Sequence, residues 1–95
     1  MPTAIISDHT FPSLDLQREV LESAAIELVE TNPICVTEDD VIERCGAADA
    51  LLVQWAPITR RVLQSLPHLK GIVRYGIGVN NIDLIAAKDL GIGIA

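Results

Sequence analysis

The sequence predicts an α/β fold: a parallel sheet of five strands in the order 2-1-3-4-5, with helices on both faces. Three observations point to it. Short apolar runs of strand length alternate with longer stretches in which apolar residues recur at helical spacing. The short runs are apolar throughout rather than alternating, as in strands covered on both faces. Proline or glycine marks most of the junctions, and strands separated by helices pair in parallel through right-handed crossovers.

Residues 3–7 (TAIIS) read as a fully buried strand, followed by a polar loop over 8–13 that contains Pro12. Across 14–30, Leu14, Leu21, Ala24, Ala25 and Leu28 share one helical face, and Arg18, Glu19, Glu22 and Glu30 fall largely elsewhere. This predicts a helix through Glu30, ended by Pro33, and a short second strand at 34–37. Thr37 is placed to cap the next helix, with Glu38, Asp39 and Asp40 complementing its N-terminal dipole. That helix runs to about Cys45, where Gly46 fits a C-terminal cap. A third strand at 50–54 (ALLVQ) is broken by Trp55-Ala56-Pro57. Thr59 starts a helix through Ser65, stopped by Pro67. The fourth strand is 71–75, the last helix 81–90 with Gly91 as its stop, and the fifth strand 92–95. A sheet of this order is flavodoxin-like. It gathers the loops 8–11, 54–58 and 76–80 on the edge formed by strand C-terminal ends, where open α/β sheets bind ligands.

Ninety-five residues bound the chain to one domain. About half the residues are apolar (49%), and the aromatic ones are Phe11, Trp55 and Tyr75, so the core is aliphatic. A net charge of −6 argues against nucleic acid and anionic membranes as partners. No stretch reaches the ~20 apolar residues of a membrane span, and the start MPTAIISDHT lacks a basic region. A cytoplasmic location is expected. Cys35 and Cys45 lack zinc-site spacing and His companions. They are expected to be reduced, half-buried thiols.

The stretch 66–95, LPHLKGIVRYGIGVNNIDLIAAKDLGIGIA, is the most informative. Gly76 and Gly78 match the start of a G-x-G-x-x-G dinucleotide loop, but the third glycine would fall at Asn81, and the turn follows the fourth strand rather than the first. The dinucleotide reading therefore fails. Two readings remain: the glycines permit a tight strand-to-helix turn, or the amides of Ile77 and Gly78 also grip a carboxylate. Asn80 is a good N-cap, with Asp83 as the acidic half of a capping box. Trp55 either lines an apolar pocket wall or anchors the core. Arg74 either pairs with a carboxylate of a neighbouring loop or reaches toward a substrate. His9 lies on the ligand edge and reads as a solvated loop histidine, and His68 as a surface residue at the opposite edge. No catalytic nucleophile, acid–base pair or metal cluster emerges.

The same stretch resembles the N-terminal substrate-binding region of the D-isomer-specific 2-hydroxyacid dehydrogenases. That family includes phosphoglycerate, glycerate and formate dehydrogenases and the C-terminal-binding-protein corepressors. Its pattern reads roughly LPxLKxIxRxGxGxDNIDxxAAxxxGIxV. Leu66, Pro67, Leu69, Lys70, Ile72, Arg74, Gly76, Gly78, Asn81, Ile82, Asp83, Ala86, Ala87, Gly91 and Ile92 fit it. The resemblance implies two domains flanking a cleft, and hydride transfer between NAD(P) and C2 of a 2-hydroxy or 2-keto acid, with 3-phosphoglycerate among the candidates. It places the substrate carboxylate on the amides of Ile77 and Gly78, with Gly76 and Gly78 keeping the approach clear, and 54–57 as the opposite wall.

One departure is Asn80, where the family usually has Asp. The other is that the family's catalytic Arg, Glu and His, its G-x-G-x-x-G loop and its returning C-terminal helix all lie downstream of Ala95. The expectation is a substrate-binding half-domain over 1–95, inactive alone, with no cofactor of its own and NAD or NADP in the parent enzyme. An uncovered apolar sheet face predicts a homodimer, with elements exchanged between protomers as one form. The alternative is a non-catalytic flavodoxin-like or corepressor-like module. A response-regulator receiver is disfavoured by the lone Asp8 after the first strand and by Gln54-Trp55 after the third. An FMN flavodoxin is disfavoured because no Ser/Thr-rich phosphate loop follows the first strand.

Overall fold

The period-two alternation of inward side chains assigns each strand residue to one of two cores. In the computed structural model, which describes residues 2–75 and 81–95, β1 (Thr3–Ile6) sits inside a five-stranded sheet. It is joined by β2 (Glu27–Glu30), β3 (Ala50–Val53), β4 (Gly71–Arg74) and β5 (Gly93–Ile94). The order is β2-β1-β3-β4-β5 and every pairing is parallel. Ile5, Leu51 and Ile72 lie side by side in register. They face a large core with Val41 of α2 (Glu38–Arg44), Val62 and Leu63 of α3 (Arg60–Gln64), and Ala86 and Ala87 of α4 (Leu84–Asp89). Ala4, Ile6, Leu28 and Leu52 face the other way, onto Leu14 and the partly buried Leu21 of α1 (Asp15–Ser23).

The two faces are unequally covered. α2 packs beside α3, and α3 beside α4, over one face, whereas α1 packs against β2 at the other. A groove lined by Leu16, Gln17, Val20, Leu21, Leu52 and Val73 lies on the α1 face, and Val73 is 45% exposed there.

The expected sheet order is observed, but two helix boundaries and one strand position differ. The first helix ends at Ser23, not Glu30, and the second strand is Glu27–Glu30 rather than 34–37. The cause is Ala25, which adopts the left-handed region at φ 60. Its N–H donates to the Glu22 carbonyl, and the Ile26 N–H reaches back to Leu21. This is the bond pattern of a Schellman stop, with the two partly buried side chains of Leu21 and Ile26 packed against the same core. Leu28 then points into the core while its neighbours in β2 are exposed. Residues 34–37 instead lead into α2: the Cys35 N–H donates to the Ser7 carbonyl at 2.7 Å.

The last helix also starts later than its sequence suggests. Ile82 forms a parallel bridge with Ile58, so the chain at 81–83 is extended and Asp83, not Asn80, caps α4, accepting from the Ala86 N–H. Gly91, at φ 72, ends α4 with the same double bond pattern as Ala25, Gly91 N–H to Lys88 and Ile92 N–H to Ala87. α2 has the expected Thr37 cap and closes on Cys45, one residue before Gly46.

An alanine held in the left-handed region carries a strain of about 1 kcal/mol that glycine lacks. Ala25→Gly should therefore raise the urea midpoint with an unchanged m-value; a lowered midpoint would contradict the assignment.

Candidate functional site

The strand C-terminal ends are tied together by one buried carboxylate. Asp8 follows β1 and is 2% exposed. Its Oδ1 accepts from the backbone N–H groups of Gln54 and Ala56, both at 3.2 Å, and from Ser7 Oγ at 2.8 Å. Its Oδ2 accepts from the Trp55 N–H at 2.6 Å. Buried polar groups of this kind are tolerated only when their lone pairs are filled. The backbone carbonyl of Asp8 accepts from the Tyr75 hydroxyl at 2.6 Å, which joins the end of β4 to the end of β1. Burial, and secondarily the negative charge of Asp8, push the Tyr75 hydroxyl well above its ordinary range, so it serves as a donor at neutral pH.

Asn81 completes the lacing. Its Nδ2 donates to the carbonyls of Ala56 at 3.0 Å and Gln54 at 3.4 Å, while its Oδ1 accepts from Arg74 Nε at 3.4 Å. The Ile58 N–H donates to the Asn81 carbonyl and the Asp83 N–H to the Ile58 carbonyl. The loop after β3 is thus held from below by Asp8 and from the side by the segment that leads into α4. Trp55 is 66% exposed on this loop, which removes the core-anchor reading. Asp8, Ile34, Cys35, Val36 and Ala56 line a pocket with it. Arg74 contacts Asn81 through its guanidinium, at the border of the same edge. Gly76, Ile77, Gly78 and Asn80 lie outside the described residues; the residues on either side, Tyr75 and Asn81, are both fastened to the edge.

His9 is not the solvated histidine expected. Its side chain is 10% exposed. Nδ1 accepts from the Phe11 N–H at 3.1 Å, which leaves Nε2 to donate to Glu30 at 2.7 Å. The Phe11 ring stacks on His9 and meets Tyr75 at a tilt, with ring centroids 5.0 Å apart. Cys35 and Cys45 are free thiols, fully rather than half buried. Burial, then the neighbouring Cys35, push the Cys45 thiol up to about 12, so it is protonated and unreactive at neutral pH. Among the described residues no group of three His, Cys, Asp or Glu side chains could hold a metal ion, and no helix is long and apolar enough to cross a membrane.

The sequence reading passed over Asp8, Tyr75 and Asn81 as site residues. A Ser-Asp pair at the end of a buried strand is the one available signal, since a carboxylate there faces the neighbouring loop.

A 2-1-3-4-5 parallel sheet with its C-terminal loops laced together defines an α/β domain of the kind that binds ligands at that edge. The family model of the D-isomer specific 2-hydroxyacid dehydrogenase catalytic domain matches residues 5–95, and the chain belongs to this family. It is 39% identical over 56 residues to a putative 2-hydroxyacid dehydrogenase of Haemophilus influenzae, covering 59% of this chain and 18% of that protein. It is 40% identical over 58 residues to a D-3-phosphoglycerate dehydrogenase of Methanocaldococcus jannaschii, covering 60% of this chain and 11% of that one. The fold superposes with a TM-score of 0.85 on an NAD+-bound 3-phosphoglycerate dehydrogenase of Entamoeba histolytica, at 29% identity over 98% of this chain and 32% of that chain. A putative D-isomer specific 2-hydroxyacid dehydrogenase of Polaromonas gives 0.80 at 26% identity, covering 99% of this chain and 29% of that one. The chain spans about a third or less of the length of these relatives.

Thr37 and Asp40 form the capping box that holds the Val36 side of the pocket. The amides of Val36 and then Thr37 hold the Asp40 carboxyl below its ordinary 3.8. A lowered folded value means this contribution is present above the ordinary value and lost as pH falls through the lowered one. The urea midpoint should therefore fall less steeply in Asp40→Asn than in the wild type as pH is lowered through and below 3.8. Equal slopes would show that the box contributes nothing to pH-dependent stability.

Proposed function

We propose that this chain is the substrate-binding domain of an NAD- or NADP-dependent D-2-hydroxyacid dehydrogenase, in which hydride passes between the nicotinamide and C2 of a 2-hydroxy or 2-keto acid. The observation that carries the reading is the fixed loop at 54–57. It presents Trp55 to solvent at the strand ends, directly beside the two anchored flanks of the 76–80 segment. In this reading the amides of Ile77 and Gly78 hold the substrate carboxylate, Trp55 forms the apolar wall, and Arg74 borders the site.

The residues of this chain do not fit a dinucleotide. The turn after β1 contains no glycine between Ser7 and Leu14, and the buried carboxylate of Asp8 puts a negative charge at the strand ends beside that turn. In this reading nicotinamide binding and the proton-transfer groups belong to another domain of the whole enzyme, and these residues alone are expected to be inactive. Free buried thiols support a reducing, cytoplasmic compartment. Millimolar pyruvate, glyoxylate or hydroxypyruvate should shift the backbone amide resonances of Ile77 and Gly78. If none of the three acids moves them, the carboxylate reading is wrong.

The groove between α1 and the sheet favours self-association as well. Leu16 and Val20 form an exposed apolar ridge beside the Leu52–Val73 groove, so one surface carries both halves of an isologous contact. Light scattering after gel filtration should give the dimer mass; a 10.3 kDa monomer at high concentration would contradict it.

A further inference from the structure

The amides of Gln54, Trp55 and Ala56 converge on one point, and converging amides of consecutive residues form a concavity that binds anions. In this chain the anion is internal. The Asp8 carboxylate fills the concavity, with Ser7 Oγ as a fourth donor. The place is the β1/β3 switch point, where the strand order reverses and sheets of this order open toward ligands. Two consequences follow. The loop has no free amide at 54–56 for a substrate anion, so it meets the cleft through side chains, Trp55 foremost. The shortest of the three amide bonds, at 2.6 Å, is the one to the Trp55 N–H itself, so the carboxylate fixes the backbone from which the indole projects.

We propose that Asp8 is a positioning residue for the substrate wall: its carboxylate stands where an anionic ligand would sit and thereby holds Trp55 at the cleft. This rests on the reading of 54–57 as that wall. It assigns Asp8 a role that acts through the Trp55 backbone.

Trp55 is the single tryptophan of the chain, so its fluorescence anisotropy and its response to pyruvate report on this loop directly. Asp8→Ala empties the concavity and leaves room for formate. Its indole anisotropy should fall, and formate, but not chloride at equal ionic strength, should restore it. A role that does not depend on the carboxylate gives no such rescue. Asp8→Asn keeps one oxygen and the side-chain shape, and provides the test if the alanine variant does not fold. With the far-UV circular dichroism unchanged, it should lose anisotropy and the pyruvate response together. A folded Asp8→Asn that retains both, or a folded Asp8→Ala whose anisotropy formate does not restore, overturns the proposal. If formate rescues the loop while wild-type Trp55 ignores every keto acid, Asp8 positions the loop and the substrate-wall reading is what fails.

Discussion

A carboxylate taken out of water costs several kcal/mol unless its lone pairs are satisfied, and Asp8 meets that cost with four neutral donors. The geometry of the functional edge depends on this arrangement. Because the donors include three consecutive amides of the loop after β3, the loop is bound to the end of β1 rather than left to fold on itself. Because the Asp8 backbone carbonyl also takes the Tyr75 hydroxyl, the end of β4 is bound to the same point. Asn81 then joins the loop to the entrance of α4. Three strand ends and one helix start share one small network, which is the rigidity a ligand-binding edge needs when its residues come from loops.

The same sheet shows why the chain is asymmetric. The three-helix face holds the large aliphatic core, and there α2, α3 and α4 bury Val41, Val62, Leu63, Ala86 and Ala87. Among the described residues the opposite face has α1 alone, and Leu52 and Val73 border a groove. Binding chemistry collects at the strand ends, whereas the groove is apolar and suits packing. On the proposed reading the strand ends take the small acid and the groove takes a second copy of this chain.

Much of this was legible in the residues. Buried runs such as TAIIS, ALLV and GIVR identify their strands by composition, and Thr37 announces its helix by its hydroxyl and the acidic residues behind it. Gly91 is read correctly as a stop because glycine is the residue that enters the left-handed region without strain. Ala25 performs the same turn with the same two hydrogen bonds and leaves no compositional trace. The apolar spacing of Leu21, Ala24, Ala25 and Leu28 consequently runs on as helix past the point where the backbone reverses. The start of α4 was misplaced for a comparable reason: the Ile58–Ile82 bridge is a long-range contact that keeps 81–83 extended. Asp8 was visible as a residue and invisible as a hub, since its partners lie 46 to 48 positions away. Tertiary pairing decided the last two points, and local pattern does not encode it.

The central claim, that the Asp8 carboxylate organises the functional edge, is tested most directly by scalar couplings across hydrogen bonds in a 15N,13C-labelled sample. The account requires cross-peaks from the amides of Gln54, Trp55 and Ala56 to the side-chain carboxyl carbon of Asp8, with the strongest from Trp55. Couplings from these amides to other acceptors, with none to Asp8, would contradict it.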